Sequence, residues 1–196
     1  MKSIRFSLVA AAMLGAAPAQ AVYILDIDEV GPDVVATGSG SINTEALTFN
    51  RSGQESSAII PLAGLIKIGG SASTSAYDGA STLFSFGDGR STYTTVFTGP
   101  LVGVFGRIGR LYVPEGYESG SQLGVSTATF EGATLAGLGA TPGTYTWTWG
   151  EGTTADSFIV NIGLAPAAAV PAPAALGLLG LGALTIAARR RRSAKA

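Results

Sequence analysis

The stretch Thr144-Tyr145-Thr146-Trp147-Thr148-Trp149 alternates hydroxyl and aromatic side chains without a break. In an extended chain successive side chains point to opposite faces, so Tyr145, Trp147 and Trp149 share one face and the threonines the other. β-Branched and aromatic residues suit a pleated, half-buried surface, and the stretch reads as a strand with one face in a core. A short link from Gly150 to Ala155 follows, after which Phe158, Val160 and Ile162 repeat the alternation. The two runs predict a closing antiparallel hairpin.

Weaker versions of the signal recur toward the N-terminus. Val22 to Val30, the pair Gly31-Pro32, and Val34 to Ile42 read as a first hairpin, with Pro32 in the turn where its missing N–H does no harm. Leu101–Phe105, Leu111–Val113 and Leu123–Phe130 are further strand candidates. Ala133 to Leu138 predicts at most one helical turn, because its glycines disfavour more. Ser71 to Arg90, rich in Ser, Gly and Ala, predicts a long loop with one or two short strands. Short strands separated by glycine-rich turns imply an all-β fold, a single antiparallel β-sandwich of jelly-roll-like form over residues 22–163. About 140 residues are enough to bury a core, which must serve without disulfides because the chain has no cysteine.

Both ends of the chain read as membrane signals. Lys2 and Arg5 precede an apolar stretch from Phe6 to Ala17, and Ala19-Gln20-Ala21 supplies small residues for cleavage after Ala21. At the other end Val170-Pro171-Ala172-Pro173 precedes an apolar run from Ala174 to Ala188, which ends in Arg189-Arg190-Arg191-Arg192. Four guanidinium groups stop and orient such a segment, because each is costly to carry into hydrocarbon. As a helix the run spans only about 22 Å against a hydrocarbon core of about 30 Å, short for a permanent anchor. The expected layout is a signal peptide at 1–21, a β-rich exported domain at 22–163, an Ala/Pro linker at 164–173, a transmembrane helix at 174–188 and a basic cytoplasmic tail at 189–196. The protein is then exported through the inner membrane and held by one span or processed to the surface.

Charge divides along the same lines. All 13 acidic residues lie between Asp26 and Asp156, where Arg51, Lys67, Arg90, Arg107 and Arg110 are the only cations, so that stretch carries a net −8. Nucleic-acid binders need a basic patch to exchange for counterions, and this balance excludes nucleic acid as a partner.

Little catalytic chemistry is available. The chain has no histidine and no cysteine, which removes His-assisted nucleophiles, thiolates and the usual zinc ligand sets, and no cofactor is implied. Paired carboxylates could still hydrolyse glycosides, yet nothing in their spacing selects a pair. Asp26, Asp28, Glu29 and Asp33 lack the glycine and distal Glu of a calcium loop, so they read as a solvated strand face and no metal site is assigned. Phe86-Gly87-Asp88-Gly89-Arg90 reads as a turn. Gly103 to Gly109 has the glycines of a phosphate loop but neither its Lys-Ser/Thr ending nor a following helix. Tyr145, Trp147 and Trp149 read first as core, and they are also the candidate sugar contacts if their faces are open.

The order Val170-Pro171-x-Pro173, a Gly- and Leu-rich apolar segment and an arginine cluster resembles the PEP-CTERM sorting signal of exported Gram-negative proteins. The departure is Ala172, where that motif has Glu. Asp28–Gly31 with Asp33–Gly40, and Thr141–Gly150, are also similar to recurring openings and closings of domains in that family. The resemblance implies recognition by an exosortase-type sorting enzyme at the inner membrane and an association with exopolysaccharide, in a structural or interaction role. A carbohydrate-binding module is the alternative. It implies no enzymatic activity.

Overall fold

A computed structural model describes residues 22–164, and these form two β-sheets packed face to face. In chain order the strands are β1 (Val22–Val30), β2 (Asp33–Gly40), β3 (Thr48–Glu55), β4 (Ala58–Ile60), β5 (Leu65–Ile68), β6 (Ala72–Asp78), β7 (Thr92–Tyr93), β8 (Val96–Thr98), β9 (Val102–Phe105), β10 (Arg110–Pro114), β11 (Ser126–Phe130), β12 (Gly143–Trp149) and β13 (Asp156–Ile162). The first sheet has the order β12-β13-β1-β2-β11-β8 and the second β3-β6-β10-β9-β5-β4-β7.

The core follows from alternation. Tyr23, Leu25 and Ile27 of β1, Val34 and Ala36 of β2, and Phe158, Val160 and Ile162 of β13 are buried, while the residues between them face outward. They meet Ile59, Ile66, Ile68, Val102, Val104, Leu111 and Val113 from the second sheet in one continuous cluster. Gly38 lies on this inner face beneath the Tyr23 ring, and a Cβ there would come within 2.7 Å of the phenol oxygen and 2.9 Å of Ile68. Burial pushes the Tyr23 phenol up to about 12, so it is neutral at ordinary pH.

Both predicted hairpins are present. β12 pairs antiparallel with β13 in a register that sets Trp147 opposite Phe158, and β1 turns into β2 through Gly31-Pro32. The single turn expected near Ala133 is there too, closed by the Leu138 N–H on the Thr134 carbonyl at 2.9 Å.

The structure departs from the sequence reading in one respect and adds to it in two. The first sheet is mixed, because β1 and β13 run parallel from Val22↔Ser157 to Ile27↔Ile162. Nearly the whole domain connects these two strands, so no tight turn forces them to run antiparallel. Within Ser71–Arg90, β6 is a seven-residue interior strand between β3 and β10. Thr74, Ser75 and Ala76 are buried there, since small residues let neighbouring side chains lie over the strand. β3, β4 and β5 fill the region from Thr48 to Ile68, for which no strand was assigned from sequence.

The second sheet is strongly curled. β3 and β4 stand five positions apart in strand order, about 24 Å across a flat sheet, yet the link from Glu55 to Ala58 reaches at most about 11 Å. An ion pair fastens the curl: Lys67 Nζ of β5 donates to Glu55 Oε2 of β3 at 2.6 Å and lies 5.4 Å from the centre of the Tyr112 ring.

Asp156 opens β13 in a buried position. Its carboxylate oxygens accept the Asn43 and Ser157 N–H groups at 2.6 Å each, but burial outweighs these donors and pushes the carboxyl above its ordinary value. A carboxyl whose folded value exceeds its unfolded one contributes stability that is full below the unfolded value, about 3.9, and is lost as pH rises through the folded value. Asp156→Asn cannot ionise. Melting temperatures of parent and variant between pH 4 and 7 should therefore show the parent losing ground to the variant as pH rises, and a pH-independent difference would refute the assignment.

Candidate functional site

The segment from Phe86 to Thr95 carries the surface features that the core does not use. Phe86 is buried and its ring centre lies 5.7 Å from that of Tyr145. Backbone bonds then lace the segment down on both sides. The Phe86 N–H donates to the Pro61 carbonyl at 3.1 Å, and the Asp88 and Gly89 N–H groups share the Gly139 carbonyl at 3.1 and 3.2 Å. The Gly89 carbonyl in turn accepts the Leu62 N–H at 3.0 Å. Phe86–Arg90 is thus a bent segment with no internal turn bond, wedged against its neighbours through glycine and bridged from Gly87 to Ala140.

Arg90 emerges from this wedge beside Leu62. Arg107 arrives from a second glycine-framed element, the 3₁₀ turn Gly106–Ile108 between β9 and β10, and its Nη2 donates to the Leu62 carbonyl at 3.1 Å. The Leu62 peptide groups therefore bond to Gly89 on one side and Arg107 on the other. Ile60, Leu62, Ala63, Arg90, Ser91 and Arg107 line a recess of about 230 Å³. The same segment continues into a second recess of about 280 Å³, bounded by Thr92–Thr95, Phe130, Glu131 and Ala133. Tyr93 is 67% exposed there.

Electrostatics set the first recess apart. Lys67 and Arg51 both bond to Glu55, and Arg110 grips Asp78 through two nitrogens at 2.6 and 3.0 Å. The Arg110 guanidinium holds the Asp78 carboxyl below its usual range. Among the described residues Arg90 and Arg107 are the cations without a carboxylate partner.

The aromatic candidates lie elsewhere. Trp147 is fully buried and Trp149 is 5% exposed, so neither indole offers an open face for stacking. Trp149 Nε1 donates to the Asn43 carbonyl at 2.7 Å, whereas Trp147 Nε1 has no partner among the described residues. Tyr145 is half-buried, with its hydroxyl bonded to the Thr141 carbonyl at 3.0 Å.

The acidic candidates have structural partners. Asp26 accepts Asn161 Nδ2 at 2.8 Å, Glu29 accepts the Leu135 N–H at 2.7 Å, and Asp33 accepts the Gly132 N–H at 2.8 Å. Burial, with the neighbouring Asp26 charge, pushes the Asp28 carboxyl up. Among the described residues no group of three His, Cys, Asp or Glu side chains is placed to hold a metal ion. Nor is any helix there long and apolar enough to cross a membrane.

Residues 169–192 match the family described as the PEP-CTERM protein-sorting motif. The chain carries a PEP-CTERM sorting motif. The match takes in Val170, Pro171, Pro173 and Arg189 to Arg192. These residues, the apolar run 174–188 and the expected cleavage residues Ala19 and Ala21 lie outside the described residues. No curated protein and no solved structure matches the chain. The PEP-CTERM motif is a sorting signal with no catalytic role, and it leaves the work of the β-rich domain to be read from that domain's surface.

Proposed function

We propose that this is a non-enzymatic component of the cell envelope or its polysaccharide matrix, exported under its signal peptide and sorted through the PEP-CTERM motif. The observation that carries the reading is the motif match at residues 169–192, together with a β-rich domain that has neither histidine nor cysteine. An exosortase-type enzyme is the expected partner, and the inner membrane is the transient or permanent station. Val170, Pro171 and Pro173 form the recognition motif, while Arg189 to Arg192 hold the tail on the cytoplasmic side.

Mass spectrometry of the chain recovered from its native envelope tests the sorting. Loss of everything beyond about Val170 is the expected result. An intact tail through Ala196 would replace processing with simple anchoring. A carbohydrate-binding role is the second reading, favoured by the paired recesses along residues 90–95 and by the exposed Tyr93 ring, since aromatic faces stack on the C–H surfaces of sugars.

A further inference from the structure

The geometry points to the recess between Arg90 and Arg107 as a binding site for one carboxylated sugar, such as a uronic acid, within an otherwise weakly charged glycan. The inference deepens the matrix reading above, and it rests on that reading only for the kind of polymer that supplies the sugar.

Charge provides the first support. A guanidinium presents a planar fork of N–H donors that matches a carboxylate, and a pair of them beside one recess favours an anion. The stretch from Asp26 to Asp156 carries a net −8, and the other three cations there are committed to carboxylates. Arg90 and Arg107 stay unpaired among the described residues, although 13 acidic side chains were available to the fold. Gly89, the residue before Arg90, accepts the Leu62 N–H, and the Arg107 guanidinium donates to the Leu62 carbonyl, so both arginines line the recess beside Leu62 with no carboxylate partner among the described residues.

The lining provides the second. Ile60, Leu62 and Ala63 give apolar surface for the C–H face of a pyranose ring, and the Ser91 hydroxyl can both donate and accept. The adjoining recess offers Thr92 and Thr95, the open Tyr93 ring and Glu131 to neighbouring uncharged sugars. A densely charged polymer is disfavoured, because the net −8 repels a high linear charge at a distance. One carboxylate met at contact range by two guanidiniums escapes most of that penalty.

Titrating the full chain with galacturonate, its methyl ester and acetate, followed by amide NMR shifts, separates ring from charge. Galacturonate should move the Leu62, Ser91 and Arg107 amides, with at least about tenfold weaker binding for the ester and for acetate. Arg90→Gln and Arg107→Gln should each weaken galacturonate at least about fivefold while leaving the melting temperature of the domain unchanged. If either variant unfolds, Arg90→Lys keeps the charge without the fork and should still lose affinity. Equal binding of acid and ester overturns the charge assignment, and equal binding of acetate or inorganic phosphate reduces the recess to a plain anion site. Tighter binding of a glutamate-rich peptide assigns it to a protein partner instead. These outcomes do not depend on whether the tail is processed, so failure here and failure of the sorting experiment are told apart.

Discussion

Trp147→Ala is expected to remove a large share of the domain's stability and shift its unfolding midpoint strongly downward. The indole is fully buried at the centre of β12, meets Phe158 edge-on with ring centres 6.3 Å apart, and through Phe158 joins the stack with Tyr23 at 5.1 Å. Removing a buried tryptophan costs about 3–5 kcal/mol in lost transfer energy and residual cavity. A domain of this size has a total stability of about 5–15 kcal/mol, and this one has no disulfide to limit the unfolded chain. Denaturant unfolding followed by Trp149 fluorescence and far-UV circular dichroism measures the loss. Thr146→Ala, exposed on the next position of the same strand, should stay within about 0.5 kcal/mol of the parent. Trp147→Phe should be far milder than the alanine variant, because it keeps a ring and removes an N–H that has no partner among the described residues. An unshifted midpoint for Trp147→Ala would mean that the ring does not belong to the core.

The second large effect is expected at Gly89. A Cβ there would run into the Leu138 carbonyl oxygen, and the next nearest atoms are also backbone, so no side-chain rotation makes room. Overpacking of this kind costs about 1–3 kcal/mol, and a collision with backbone belongs at the upper end. Gly89 also supplies a donor to Gly139 and an acceptor to Leu62, so its displacement carries Arg90 away from the recess. Gly89→Ala should lower the melting temperature and abolish galacturonate binding together. Ser91→Ala, one residue beyond Arg90 on the exposed side, should leave stability unchanged. Binding retained by a destabilised Gly89→Ala chain would show that the wedge does not place Arg90.

The strands most readable in the sequence are those in which large apolar side chains alternate with polar ones. β12, β13 and β1 announce their faces because Trp147, Phe158 and Leu25 must be hidden and their neighbours need not be. β3 gives no such signal: Phe49 is its one large apolar residue and is itself 55% exposed, because an edge strand outside the core need not alternate. β6 is hidden for the opposite reason, since its interior place is earned by small side chains whose composition resembles that of a loop. The parallel pairing of β1 with β13 depends on the route of the whole chain, which local pattern does not encode. Arg90 and Arg107 stand in two glycine-rich segments, of which only Phe86–Arg90 read as a turn. Only the Leu62 peptide, bonded to both segments, reveals that they converge.

The parallel register of β1 and β13 also decides how the domain carries a mechanical load. Val22 enters at one end of the paired strands and the chain leaves after Ile162 at the other, with a six-residue register between them spanning about 20 Å. Tension applied between Val22 and Leu164 therefore slides the two strands past each other, and the hydrogen bonds of the register must fail together. An antiparallel pair pulled from adjacent ends would peel open one bond at a time. Under tension between its two ends, that geometry turns a short strand pair into a clamp.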